Sequence, residues 1–551
     1  MLKIYKQMKQ TYFSIFLFFA FVGTICAQQT NLVSQNRDVD SKNKYTNPIA
    51  PGSFCDPSAV RVGKKFYMVN TTFQFFPGIS ISESEDLVHW KHIGNVLTRQ
   101  SDVNLNKYPD NLGVWAPDIS YHDGEFYVFY CEVLVTADRK TNIRGNYMVK
   151  SKNILGPWST PVQLTTEGND PSHFIDEDGS HYMLYAAGLP RGNKTKIVKL
   201  NNECTKVVEG PFWIEWGEEM AHPEGPHMYK LNGYYYHTIC GGDIETKKNK
   251  QIIARSKNIY GPYEESPLNP LITESNLPGR LVNTEHAKFL KLENGDWWAL
   301  FHSQRMIGGA HILGRETSLG KLTWNAKGWP ILNDGAGVLE QGIGPDLPLK
   351  KYKVNTCDAF SKKKLDHAWL FVRNPDDNKY SLTERKGYLR IYPTIYPLDS
   401  MKAKNIIVRR QVDFKFDAIT ALEFNSNSGE AGIVSYYHTN SYISFGLSNE
   451  NGSLLRITTK NKSNKSILVE HKLSKIPQKI FLKVATDYLN REFYYSLDNK
   501  NWILVGKVDN AKYLSGLSGF YGSMIGMYAI SPNNNNARPA DFDFFNYMYQ
   551  E

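Results

Sequence analysis

Five times between residues 56 and 298 the chain repeats one order of polar and apolar positions: a polar opening, a short apolar stretch, a glycine turn and an aromatic-rich stretch. Asp56-Pro57-Ser58-Ala59-Val60 leads through Gly63 to Phe66-Tyr67, and Ala116-Pro117-Asp118-Ile119 through Gly124 to Phe126-Tyr127. Asp170-Pro171-Ser172-His173-Phe174 leads through Gly179 to Tyr182, and Glu224-Gly225-Pro226-His227-Met228 through Gly233 to Tyr234-Tyr235. Glu285-His286-Ala287-Lys288-Phe289 leads through Gly295 to Trp297-Trp298. Two apolar runs around a glycine turn predict a β-hairpin. After several hairpins comes a further shared piece, as in "SKNILGPW" from Ser151 and "SKNIYGPY" from Ser256.

The units recur roughly every 54 to 61 residues, room for four strands and their loops. One such unit cannot bury both faces alone, whereas five around an axis bury one another. The pattern therefore predicts a five-bladed β-propeller over residues 45–347. From about Lys350 the plan disappears, and alternating stretches such as Tyr388 to Tyr392, Lys479 to Ala485, Arg491 to Leu497 and Ala540 to Phe544 are separated by Asn, Ser, Gly and Asp turns. Residues 350–551 are read as a second domain, a β-sandwich. The fold class is all-β, and 551 residues with 41% hydrophobic and 13% aromatic content suffice for two cores.

At the N-terminus, Lys3, Lys6 and Lys9 precede an apolar run from about Tyr12 to Val22 and the small-residue site ending at Ala27. This layout predicts a signal peptide over residues 1–27 and export to the periplasm or the exterior, with a loose lead-in over 28–44. The run is too short for a transmembrane anchor. Removing three lysines lowers the formal charge from +9 to +6 (61 basic minus 55 acidic residues). No dense basic run with interleaved aromatics is present, which argues against a nucleic-acid partner. Cys55, Cys131, Cys204, Cys240 and Cys357 are widely spread and read as buried small hydrophobes.

The innermost strand of each blade lines the propeller axis, so Asp56, Asp170 and Glu224 should converge at one mouth although distant in sequence. Carboxylates in one pocket repel one another, which raises the pKa of at least one. Cleavage of a glycosidic bond uses such a set: a protonated acid for the leaving oxygen and an ionised carboxylate on the other face of the sugar.

Several longer stretches, among them "NPIAPGSFCDPSAVRVGKKFYM", "GVWAPDISY", "DPSHFIDEDGSHY", "EGPHMYKLNGYYY" and "LGRETSLGKLTW", resemble glycoside hydrolase family 43. The chain is similar in particular to the branch of β-xylosidases and α-L-arabinofuranosidases with an appended concanavalin-like sandwich. The resemblance implies an inverting, exo-acting hydrolase that releases xylose or arabinose from plant hemicellulose oligosaccharides or polysaccharides. Asp56 would be the general base, Glu224 the general acid and Asp170 the carboxylate that tunes it. It further implies Arg315 as a holder of sugar hydroxyls, His286 as the axial histidine, and Phe73, Trp115 and Phe520 or Tyr521 as walls of the sugar subsite. No cofactor is required by this mechanism, and either domain has room for a structural Ca²⁺ on oxygen ligands such as Asp541 or Asp543. The chain departs from the family pattern at Phe54-Cys55 before the base, at Pro223 before the acid and at Glu285, where glycine is usual. Two other readings stand beside it. A retaining fructosidase-like propeller would want Asn-Asp-Pro-Asn-Gly where Phe54-Cys55-Asp56-Pro57-Ser58 stands, and a non-catalytic sugar binder would not need all three carboxylates.

Overall fold

A computed structural model describes residues 43–550 apart from 136–141, 188–193, 218, 244–245, 247, 275–280, 354–355, 450–452, 517–519 and 534–535. The predicted leader and nearly all of the lead-in lie outside the described residues. Among the described residues no helix is long and apolar enough to cross a membrane.

Each repeat forms one antiparallel sheet in which the chain runs outward strand by strand. The innermost strands are Ser58–Val62, Gly113–His122, Asn169–Ile175, Ala221–Leu231 and Val282–Lys291, and each second strand of a hairpin pairs directly with it. Each innermost strand touches the next around the axis, and the fifth touches the first, so the ring is closed. Lys44–Thr46 reaches across to pair with Gln341–Ile343, and Ala50 bridges Thr317 of the fifth blade, which ties the beginning of the ring to its end. The near-identical stretches from Ser151 and Ser256 form the same turn: Asn153 and Asn258 each donate a backbone N–H to the serine hydroxyl two residues back, and each accepts one from two residues ahead.

The C-terminal region is two packed sheets. One runs Asn464–Lys472, Leu454–Asn461, Ser441–Ser448, Glu430–His438, Met524–Ile530, Ile407–Arg410 and Leu370–Val372. The other centres on Ala540–Tyr549, Lys415–Glu423, Ile480–Asp487 and Asn490–Ser496. The two domains share backbone pairing: Phe75–Phe76 of the propeller adds to the edge strand Leu370–Val372. They also share one apolar core, in which Phe73, Val114 and Leu313 meet Phe371, Ile407 and Tyr521. Gly314 and Gly522 allow the second junction, since a Cβ at Gly314 would lie 2.2 Å from the Gly522 nitrogen and one at Gly522 would lie 2.3 Å from the Leu313 oxygen. This approach carries Phe520 to the propeller mouth.

Cys55, Cys131, Cys204 and Cys240 are free and buried, as their spread implied. Cys357 departs from that reading and is disulfide-bonded. The two carboxylates considered for calcium already hold cations: Asp541 receives Arg385 and Arg390 at 2.8 Å each, and Asp543 receives Lys479 at 2.8 Å. A Ca²⁺ there would have to displace three positive side chains.

Candidate active site

The innermost strands are irregular where they meet the axis. Register shifts fall at Trp115/Asp118, Asn169/Ser172, Glu224/His227 and Glu285/Lys288. Beside them the backbone takes positive φ at Asp56 (49°), Ala116 (32°), Asp170 (55°), Gly225 (59°) and His286 (56°). Such a bulge re-aims side chains. The equivalent residues of the five blades are therefore these five, which corrects the register read from the sequence: Glu224 and Glu285 stand one place earlier, in the position of Cys55, Trp115 and Asn169. A Cβ at Gly225 would come within 2.9 Å of His286 Nδ1, so glycine is what lets the acid's strand lie over the histidine.

Asp56, Asp170, Glu224, His286 and Arg315 do meet. His286 Nε2 lies 3.6 Å from Asp170 Oδ2 and 3.6 Å from Glu224 Oε1. Asp170 Oδ2 also accepts the Gly225 N–H at 3.0 Å. Arg315 Nη1 approaches Asp56 Oδ1 at 3.4 Å. Thr71 Oγ1 donates to Asp56 Oδ2 at 2.7 Å and itself accepts the Ala116 N–H at 2.7 Å.

Two residues not assigned a role from the sequence complete the arrangement. His302, fully buried on the second strand of the fifth blade, has Nδ1 3.0 Å from Asp56 Oδ1 and Nε2 3.3 Å from Glu285 Oε1. Glu285 also accepts from Asn249 at 2.8 Å and lies 3.9 Å from Arg315 Nη2. Asp118, the acidic residue of the second repeat, belongs to a layer beneath. It receives Lys288 Nζ and Ser58 Oγ at 2.6 Å and the His173 N–H at 2.8 Å, so its charge is spent holding strands together.

Burial pushes the Asp56 pKa up, but His286, the His302 hydrogen bond and Arg315 outweigh it and hold the carboxyl well below the usual carboxylate range. Asp56 is an ionised carboxylate at any working pH. Burial, then the charge of Glu224, push Asp170 up to about 6. Burial acts on Glu224 as well, yet the hydrogen bonding and charge of His286, with Arg315, hold it below its ordinary value. The two carboxyls titrate as a pair that takes up one proton as pH falls through about 6, with Asp170 the favoured holder. Glu224 is the more open of the two, its side chain 21% exposed against 4% for Asp170. Burial alone would lower the His286 pKa, but the Cys240 sulfur and the carboxylates of Asp56 and Glu224 raise it well above its ordinary value.

Around this group stand aromatic rings. Trp115 and Phe520 have centroids 6.0 Å apart, and Arg315 lies 4.7 Å over the Phe520 ring. Phe73 packs behind both, 6.4 Å from Trp115 and 6.2 Å from Phe520, and is only 2% exposed, so it supports the wall more than it forms it. Tyr521 is buried, donating to the Tyr437 carbonyl at 2.6 Å, which makes Phe520 the sandwich residue at the pocket. Below the carboxylates Asp56, Asp118, Asp170, His227 and His286 enclose an axial cavity of about 10 Å³.

Asp170, Glu224 and His286 place ligand atoms within 4.8 Å of one another, as do His173, His181 and Cys204. In the first group His286 Nε2 lies 3.6 Å from each of the two carboxylates. In the second, His173 Nε2 and His181 Nδ1 face each other at 3.0 Å, with near-coplanar rings whose centroids are 5.2 Å apart. Nitrogen points at nitrogen, which is a hydrogen bond and not a pair turned toward a shared ion.

Comparison with known proteins agrees with this geometry. A family model described as glycosyl hydrolases family 43 matches residues 45–330, and one described as a beta xylosidase C-terminal concanavalin A-like domain matches residues 357–548. A non-reducing end alpha-L-arabinofuranosidase of Bacteroides ovatus is 32% identical over 92% of this chain and 95% of its own length. A beta-xylosidase of Bacillus subtilis is 31% identical over 92% of this chain and 99% of its own. A crystal structure of a GH43 protein from Bacillus licheniformis superposes with a TM-score of 0.86 at 37% identity, covering 92% of this chain and all of that one.

Proposed function

This chain belongs to glycosyl hydrolase family 43, and from that premise we propose that it is an inverting, exo-acting β-xylosidase or α-L-arabinofuranosidase that trims hemicellulose. The observation that carries the chemistry is the pairing of one carboxylate held ionised, Asp56, with a carboxyl pair that holds a proton, Asp170 and Glu224. Near-full-length similarity to an arabinofuranosidase and a xylosidase supports the substrate class.

Asp56 acts as the general base. Its Oδ1 is occupied by His302 and Arg315, whereas Oδ2 accepts only the Thr71 hydroxyl, so a lone pair on Oδ2 remains for the attacking water. Glu224, the more open of the pair, donates the proton to the leaving oxygen. A sugar covering Glu224 strips its water, which disfavours its charged form and draws the shared proton across from Asp170. Arg315 and the Trp115–Phe520 wall hold the glycone in place, with apolar faces against the ring and a forked donor toward its hydroxyls. Base and acid act on opposite faces of the sugar, so the bond breaks in a single displacement.

Assay on aryl β-D-xyloside, aryl α-L-arabinofuranoside and decorated xylan oligosaccharides tests the reading. Release of the terminal pentose from at least one aryl substrate is expected, and inactivity on all of them would overturn it.

Replacing Asp170 by Asn has a signed effect on pH dependence. The donor must be protonated, so activity is present below the pair's pKa and lost as pH rises through about 6. Without the Asp170 charge, His286 and Arg315 hold Glu224 low unopposed. The alkaline limb of kcat/KM should therefore move to lower pH, with a fall of roughly 10²-fold at pH 7.

His302 is a positioning residue. His302→Phe removes the donor that orients Asp56 and should lower kcat by roughly 10- to 100-fold with little change in KM, an effect of about 1.4 to 2.7 kcal/mol. His302→Asn, whose amide can reproduce the Nδ1–H, should retain most of the rate.

A further inference from the structure

A sizeable hollow stands apart from the catalytic mouth. It lies at the seam between the two domains, about 900 Å³ in volume, with the outer strand Lys91–Leu97 of the first blade on one side and the sandwich on the other. Seven lysine and arginine side chains line it against two carboxylates, Asp366 and Asp413. Lys362, Lys363 and Lys364 form a run on one rim, and Arg409 and Arg410 come from a sandwich strand.

The two arginines differ. Arg410 is satisfied: it donates to the Ser53 carbonyl at 2.8 Å and to Ser80 at 3.3 Å and lies over the Phe54 ring at 4.3 Å. The half-buried Arg409 pairs through its backbone with Ile525, but among the described residues its side chain makes no direct hydrogen bond or ion pair. Its guanidinium sits between Tyr547 and Trp369, 5.1 and 6.0 Å from the ring centroids. Burial pulls its pKa below the ordinary value, and the charges of Tyr547, Asp366, Asp358 and Asp413 offset that only in part. An arginine held that way, facing a cavity rimmed by further cations, is arranged for an anion that enters from outside.

The shape and the rest of the lining narrow the anion. A lone phosphate would fill little of 900 Å³, whereas a volume of this size suits a ligand of several rings. Pro51, Phe54, Ile93, Leu155 and Val412 add apolar surface between the charges, with Leu155 58% exposed. Apolar ring faces that carry carboxylates fit both features. We propose that this interdomain cavity is a binding site, separate from the catalytic mouth, for uronic-acid-bearing hemicellulose oligosaccharide, with Arg409 as its carboxylate anchor and Lys362 to Lys364 as its rim.

The inference rests on the hemicellulose reading above, and the two fail separately. Loss of the pentosidase reading would show as inactivity on aryl glycosides, whereas loss of this site would leave that activity intact.

Isothermal titration of the full-length Glu224→Gln protein is the test, with a glucuronic-acid-decorated xylo-oligosaccharide, a neutral xylo-oligosaccharide of equal length, and inorganic phosphate as ligands. The acidic oligosaccharide should show a second site per chain that the neutral one lacks, and that site should weaken as salt is raised. Arg409→Gln, and separately the exposed triple change Lys362→Ser, Lys363→Ser and Lys364→Ser, should each weaken the second site at least tenfold. In the wild-type background neither should alter turnover of aryl glycoside. A single site for every sugar, equal binding of the neutral oligosaccharide, or unchanged affinity in both variants would overturn the proposal. Phosphate binding as tightly as the acidic oligosaccharide would overturn its assignment to a sugar acid.

Discussion

Asp56→Asn should reduce hydrolysis of both aryl and natural glycosides by roughly 10⁴-fold, the upper end of the range for loss of a general base. The side chain keeps its size, but an amide cannot take a proton from water. It would also set its own N–H groups against the donors of Thr71, His302 and Arg315, which now converge on the carboxylate. Because the water must be activated whatever the leaving group, the loss should be of similar size for every substrate. Steady-state kcat on aryl xyloside and on a xylo-oligosaccharide checks this, and a variant that kept within tenfold of the parent on both would remove Asp56 from the role of base.

Glu224→Gln should behave differently. On oligosaccharides, whose leaving group is a sugar alkoxide, loss of the proton donor should cost roughly 10³- to 10⁴-fold. On aryl glycosides with an acidic phenol the leaving group departs without help, and the loss should shrink to about tenfold or less. The ratio of the two losses is the diagnostic quantity. The change should also abolish the alkaline limb near pH 6, because that limb belongs to the proton shared with Asp170. Equal losses on both kinds of substrate would mean that Glu224 positions the sugar and does not protonate it.

The architecture was legible because it is repetitive. A blade needs one hairpin pattern, and five copies of that pattern stood in the chain with glycine and aromatic residues at matching places. The sandwich was legible from alternation, as in Ile480–Asp487 and Asn490–Ser496. Finer features depend on backbone geometry that residue order does not display. Asp118 is the acidic residue of the second repeat, two places in, and the shift at Trp115/Asp118 sends it a layer down to Lys288. Glu224 and Glu285 looked equivalent to Asp56, and the positive φ of Gly225 and His286 shows them one residue out of phase. That offset gives Glu224 an approach to His286 different from that of Asp170. His302 carried no signal at all, since it lies on the second strand of its hairpin and reaches Asp56 from 246 positions away. The unusual Glu285 was visible as a departure, but its meaning appears only with His302 between it and the base. The resemblance left Phe520 and Tyr521 as alternatives, and the close approach of Gly314 and Gly522 explains how a residue of the second domain arrives at the mouth.

The arrangement of Asp56, Glu224 and Asp170 amounts to one claim, that the glycosidic bond is broken in a single displacement by water. Proton NMR of the first sugar released from an aryl β-D-xyloside or an aryl α-L-arabinofuranoside, read before mutarotation, tests that claim most directly. Inversion, giving α-xylose or β-arabinose as the first product, is the predicted result. Retention of the substrate's anomeric configuration would contradict it and would recast Asp56 as a nucleophile.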